Sequence, residues 1–125
     1  MAAYISRINN CQFCIGTHAA TASQASGNSA MVAAVLAELE SALTEESLRA
    51  TLRMLGKFTQ EGRLSAGDVR LVLDTGVSRN EVEDALAVCY AFNVTNRLAN
   101  AFGFEMMSPE GFQAGAKYLL RRGYR

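Results

Sequence analysis

With 125 residues and 13.5 kDa, half of them apolar, the chain has room for one domain with a core of its own. Twelve basic residues balance twelve acidic ones, so nothing in the charge (isoelectric point near 6.6) points to nucleic acid or an anionic membrane as a partner. Three cysteines are too few and odd in number for a secreted disulfide scaffold. The N-terminal residues lack the order of a signal peptide, and the longest apolar run, residues 30–37, is far too short to span a bilayer. The expectation is a cytoplasmic protein with a single domain over residues 1–125, in which a close cysteine pair carries redox or metal chemistry.

Residues 2–9, with Ile5 and Ile8 three apart, read as the end of a helix. A second helix is predicted from about Asn10 to Ser26, capped by Asn10 and stopped at Gly27-Asn28. The spacing of Met31, Val32, Val35, Leu36 and Leu39 predicts a third over residues 29–43. Thr44 before Glu45-Glu46 marks the next start, because a hydroxyl caps and the acids suit the helix dipole. Leu48, Leu52, Leu55 and Phe58 then follow at helical spacing as far as Gly62. Gly56 within this helix costs roughly 1 kcal/mol against alanine and so marks a close helix contact. Ser65 to Asp68 opens a shorter helix carrying Val69, Val72 and Leu73 and closed by Gly76.

Ser78-Arg79-Asn80-Glu81 fits a capping box and launches the longest helix, to about Phe102, with Val82, Ala85, Leu86, Cys89, Phe92 and Leu98 as its apolar set. Ser108-Pro109-Glu110 opens the last helix, which carries Phe112, Tyr118 and Leu119. Its end gathers Lys117, Arg121, Arg122 and Arg125, which complement the dipole. No stretch alternates with period two for long. An all-α domain of about six to seven helices is expected, without linker, repeat or low-complexity segment.

The chemistry concentrates in Asn9-Asn10-Cys11-Gln12-Phe13-Cys14-Ile15-Gly16-Thr17-His18, which holds two of the three cysteines and the only histidine. On a helix beginning near Asn10, Cys11, Cys14 and His18 fall at i, i+3 and i+7 and share one face. A thiol in the first turn feels the positive end of the dipole, which lowers its pKa and favours the thiolate. An imidazole one turn below can take or return the proton, and a second thiol one turn above can close a disulfide. The stretch therefore reads as a redox site.

CxxCxxxH on a helix of a small all-α chain resembles the AhpD-like alkylhydroperoxidase family, within the carboxymuconolactone decarboxylase superfamily. Three pieces carry the likeness: residues 6–18 around the cysteine pair; Ser65-Ala66-Gly67-Asp68-Val69 through Gly76-Val77-Ser78; and Phe92-Asn93-Val94-Thr95-Asn96-Arg97 through Gly103, which is similar to a Phe-Asn-x-x-Asn-Arg stretch of peroxidase-related members. The resemblance implies a thiol peroxidase. Cys14 would attack the O–O bond and become a sulfenic acid, Cys11 would resolve it to a disulfide, and His18 would relay protons. No bound cofactor or metal is implied. The partners implied are a peroxide substrate, a dithiol reductant (a lipoyl-bearing protein in the family's best-known member) and further copies of the chain in a trimer or hexamer. One feature departs from the pattern. The family's relay glutamate, about a dozen residues before the first cysteine, falls just before Met1, and Glu38 is the first acidic residue. The expectation is a trimmed member, a piece of a longer chain lacking N-terminal helices, or a site completed by another subunit's carboxylate.

Other readings of the same residues stand beside this one. Cys11 and Cys14 could be small buried apolar residues with an incidental histidine. The two thiols and the imidazole suit zinc, yet a closed site needs a fourth ligand, which Cys89 supplies only if the long helix passes by. A c-type haem requires the histidine directly after the second cysteine. A non-catalytic, oligomeric redox sensor and a decarboxylase-like enzyme using His18 are the functional alternatives. Cys89 reads as core, Asn93, Asn96 and Arg97 as either a solvated face or a buried polar cluster, and Phe92, Phe102, Phe104 and Phe112 as core and interface. Met106-Met107 reads as a loop or interface pair.

Overall fold

A computed structural model describes residues 1–123. Over these residues the chain is all-α, with helices α1 (Ala2–Ile8), α2 (Gln12–Ser26), α3 (Ser29–Ala37), α4 (Glu46–Glu61), α5 (Ala66–Leu73), α6 (Arg79–Ala101) and α7 (Pro109–Arg122), and no strand among them. Arg125, expected in the basic cluster, lies outside the described residues, while Arg121 and Arg122 occupy the last turn of α7.

Local chemistry accounts for most of the starts. Ser65 accepts from the Asp68 amide and returns its own amide to the Asp68 carboxylate, and Ser78 and Glu81 repeat the arrangement at the head of α6. Ser108 accepts from the Gly111 amide, with Pro109 at the first helical position. Gly27 closes α2 in the left-handed conformation.

The helices depart from expectation in two places. α3 stops at Ala37 rather than Leu43, and Glu45 rather than Thr44 precedes α4, without a side-chain cap. The cause is Arg49 of α4, whose guanidinium gathers the carbonyls of Leu39, Glu40, Ala42 and Thr44 at 2.7–3.3 Å. Those carbonyls need no helical donors, and Leu39 and Ala42 are free to bury against Val35 and Leu52. The second difference is at the head of α2. Asn10 takes a positive φ of 54° and Cys11, not Asn10, is the N-cap.

Short α1 is surrounded by α2, α3, α4 and α6, while α7 packs on α2 and α5 on α4 and α6. The largest core cluster joins Ile5 of α1 to Met54 and Leu55 of α4, Val72 of α5, and Val82, Cys89 and Phe92 of α6. Close approach is achieved where side chains are missing. A Cβ on Gly56 would meet the Tyr4 ring at 3.3 Å and Ile8 at 3.4 Å, which is the contact expected of that glycine. A Cβ on Gly16 would lie 2.5 Å from the Phe112 ring, so α7 seats its phenylalanine directly on the α2 backbone. The buried face of α6 runs Val82, Ala85, Cys89, Phe92, Asn96 and Ala99, leaving Leu98 half exposed. The expected apolar set drifted off this face at its last member, because the position on the seam is a polar residue.

Candidate functional site

The site begins with the turn between α1 and α2. The Cys11 amide donates to the Ser6 carbonyl (3.0 Å) and the Asn10 amide to the Arg7 carbonyl (3.1 Å), so the chain leaves α1 in a tight turn. The left-handed Asn10, a residue type that tolerates this conformation, then redirects it into α2. Cys11 ends as the N-cap, its carbonyl accepting from the Ile15 amide, and Cys14 lies in the first turn. Both are free thiols, 1% and 3% exposed, clustered with Ala99 of α6 and bordered by Phe13. The Cys11 thiol and the Asn96 side chain both act on the Cys14 thiol, the first against its ionisation and the second in favour of it.

His18 follows one helical turn after Cys14, buried, with its ring edge-to-face on Phe92 at 4.5 Å between centroids. All three sequence-predicted residues therefore lie in the same part of the molecule, on α2 and its cap. Their electrostatics are not as expected. Burial, with the Cys11 thiol adding to it, pushes Cys14 up to about 11. Desolvation, assisted by the amino group of Met1, pulls His18 down to about 4. The resting pair is thus a thiol and a neutral imidazole, not a thiolate and an imidazolium. The expected lowering by the helix dipole is outweighed by desolvation, which disfavours both charged forms.

A chain of amides runs behind the thiols. Asn9 Nδ2 donates to Asn93 Oδ1 (3.0 Å) and to Asn96 Oδ1 (3.1 Å). Asn96 Nδ2 donates to Ser6 Oγ (2.9 Å), whose hydroxyl donates to the Ala2 carbonyl (2.9 Å). At the far end Asn93 Nδ2 reaches the Cys89 carbonyl (3.0 Å), Thr59 Oγ1 (3.3 Å) and Cys89 Sγ (3.4 Å). Asn96 is fully buried, Asn93 half-buried and Arg97 exposed, so two of these three form the polar cluster and one the solvated face. Among the described residues no buried side-chain nitrogen or oxygen lacks a partner. Sequence reasoning quoted Ser6 and Asn9 only as parts of the stretch around the cysteines, with no role, and passed over Thr59; the available signal was that Ser6 and Asn9, the C-cap of α1, lie three apart.

Beside the pair lies a groove of about 320 Å³ lined by Asn10, Gln12, Phe13, Ala99, Asn100 and Phe104 with their neighbours. Phe104 and Met106 on its rim are exposed, as is Phe102, whereas Phe92 and Phe112 are buried and Met107 packs beside Phe112. Among the described residues no three His, Cys, Asp or Glu side chains converge as metal ligands would. Cys89 lies in the main core against Thr59 and Leu55, bonded there rather than at the pair. No described helix is long and apolar enough to cross a membrane.

No model of a known protein family matches the chain, and no curated protein matches it. Any functional reading therefore stands on the residues of the site.

Proposed function

We propose that the chain is a thiol-dependent peroxidase of the AhpD-like kind, in which Cys14 attacks and Cys11 resolves. One observation carries the reading: two free thiols meet at the N-terminus of α2, with an open groove alongside. The Cys14 thiolate attacks one oxygen of a hydroperoxide, the O–O bond breaks, and a sulfenic acid forms as the alcohol leaves. Cys11 sulfur then attacks the Cys14 sulfur, forming the disulfide and releasing water. A dithiol reductant, for which a protein-borne lipoyl group is the model, exchanges twice with the disulfide and leaves as its own disulfide. His18, neutral at pH 7, accepts the proton as the thiolate forms and returns it to the departing oxygen.

We place this activity in the cytoplasm and in a homo-oligomer, a trimer or hexamer. Tyr90, Leu98, Phe102 and Phe104 present large apolar surface that a further subunit would cover. A second reading is favoured by the burial of both thiols and the upward shift of Cys14: a redox-responsive protein that forms the disulfide without turning over.

The test is peroxide consumption with a dithiol reductant, comparing wild type with Cys14→Ser and counting thiols before and after a peroxide pulse. Loss of two thiols with turnover that vanishes in the variant supports the peroxidase. Loss of two thiols without turnover supports the sensor. Turnover unchanged by Cys14→Ser sinks the Cys14 mechanism, and thiols left unchanged by the peroxide pulse sink both readings.

A further inference from the structure

The amide chain behind the thiols can be read in one direction only. The carbonyl oxygens of Cys89 and Ala2 can only accept, and each anchors one end. Because Asn93 gives its Nδ2 to the Cys89 carbonyl, it turns Oδ1 toward Asn9, which must answer with its own Nδ2. The same Asn9 nitrogen faces Asn96, so Asn96 must present Oδ1 to it and Nδ2 to the other side. There it meets Ser6 Oγ, whose proton is already given to the Ala2 carbonyl, so the hydroxyl accepts. Both ends of the chain therefore demand the same orientation of Asn96. Reversing that amide would set nitrogen against nitrogen at Asn9 and leave Ser6 without its donor. An Asn96 carboxamide so held has one N–H committed to Ser6 and a second left over, on the buried face of α6 where Ala99, one turn on, packs with Cys14, the thiol on which the Asn96 side chain acts. Asn96 faces α2 from the buried face of α6, one turn before Ala99, which clusters with both cysteines.

We infer that Asn96 supplies a fixed hydrogen-bond donor to Cys14 Sγ that supports the thiolate, and that Asn9, Asn93 and Ser6 are positioning residues that hold the amide in the donating sense. The inference rests on Cys14 being the reacting thiol of the proposed peroxidase. Its chemical basis is that an N–H aimed at sulfur stabilises the anion more than the neutral thiol, while burial without a donor stabilises only the thiol. The backbone N–H of Cys14 also favours the anion and is the same in every variant, while the one titratable group acting on Cys14 among the described residues, Cys11, opposes it.

The experiment is the pH profile of Cys14 alkylation by iodoacetamide, read on the modified peptide by tandem mass spectrometry. The direction in which the midpoint of the profile moves is the readout, because loosened packing admits water and lowers it whereas a lost donor raises it. In Asn96→Leu the midpoint is expected to rise by roughly one pH unit, a tenfold smaller thiolate fraction at any lower pH. An unchanged or lowered midpoint in a folded Asn96→Leu overturns the inference. Should that variant fail to fold by circular dichroism, Asn9→Ala decides, since it leaves Asn96 in place and removes the donor that orients it, together with a bond to half-buried Asn93. A smaller rise is expected there, and no rise overturns the inference equally. Peroxide turnover is scored separately: a wild type without turnover whose midpoint still depends on Asn96 sinks the peroxidase and leaves the donor role standing.

Discussion

Cys14 and Cys89 lie near opposite ends of one chain of asparagine amides, each buried and free, with Asn93 bonded to the Cys89 sulfur and Asn96 acting on that of Cys14. Burial pushes both thiols upward from their ordinary range. The difference lies in what else each sulfur meets. Cys89 is in the middle of α6, inside the main core, bonded to Thr59 and to the Leu55 carbonyl. Cys14 is in the first turn of α2, interacts with a second thiol and borders an open groove through Phe13 and Ala99. A buried thiol near a side-chain amide is thus common to both sites. What sets Cys14 apart is a partner able to take up its oxidised form and a helix terminus whose dipole favours an anion.

That comparison breaks most sharply in activity. Cys14→Ser is expected to reduce peroxide turnover to background, whereas Cys89→Ser, which removes no partner of the pair, leaves it within about twofold, given that substitutions away from a reacting group seldom alter it. Equal losses in the two variants would show that the third cysteine takes part. Because Cys14 is held well above neutrality, wild-type turnover should also rise roughly tenfold per pH unit from about pH 7 to pH 9, as the thiolate fraction does.

Stability is expected to fall on both sides of a plateau. His18 titrates near 4 in the fold against 6.5 when exposed, so on acidification the unfolded chain takes up its proton first. Its contribution is present above pH 6.5 and lost between 6.5 and 4, an effect of about 2–3 kcal/mol. Cys14 titrates near 11 against 9.0, so the unfolded chain loses its proton first and stability drops between pH 9 and 11. Urea midpoints across pH measure both limbs. His18→Gln should flatten the acid limb, and Cys14→Ala should flatten the alkaline limb more than Cys89→Ala does. The reverse order for the two cysteines would contradict the comparison.

Packing separates the two thiols again. α7 touches α2 through Phe112 on Gly16, whereas Cys89 lies in a cluster built from α1, α4, α5 and α6. Gly16→Ala forces its Cβ into the Phe112 ring, an overpacking expected to cost about 1–3 kcal/mol. Hydrogen exchange should show the loss in α2 and α7 more than in α4 and the first half of α6. Protection lost evenly over all helices would mean that the two regions unfold as one.

Where the sequence was legible, the determinants were local. Ser65, Ser78 and Ser108 announce their helices because the capping partner lies three residues away on the same chain. The adjacency of Cys11 and Cys14 follows from their spacing, and the close contact at Gly56 from a glycine where a helix would not choose one. The failures are tertiary. The end of α3 is set by Arg49, reaching back from α4 to carbonyls that no local pattern connects to it. The polarity of the site was misjudged because the dipole can be read from position while desolvation depends on Phe92, Ala99 and α1 closing over the residues. Asn96 looked ambiguous because its partners, Ser6 and Asn9, lie some ninety residues away.

The smallest expected effect concerns the turn that delivers one thiol to the other, for which Cys89 has no counterpart. Asn10 holds φ at 54°, a conformation that costs an L-residue about 1–2 kcal/mol unless its side chain is short and polar or absent. A β-branched residue bears that cost in full, so Asn10→Val should lose about 1–2 kcal/mol. Glycine relieves the strain but gives the unfolded chain more freedom, and the two effects oppose. Asn10→Gly is therefore expected to stay within about 0.5 kcal/mol of wild type by urea unfolding. Its more telling readout is the Cys11–Cys14 disulfide, measured as an equilibrium with a dithiol of known potential. A freer turn lets the two sulfurs part in the reduced protein, so Asn10→Gly should make the disulfide easier to reduce while the reactivity of Cys89 stays as it was. If the equilibrium does not move, α2 alone holds the pair together, and the left-handed turn is a feature of the fold rather than of the site.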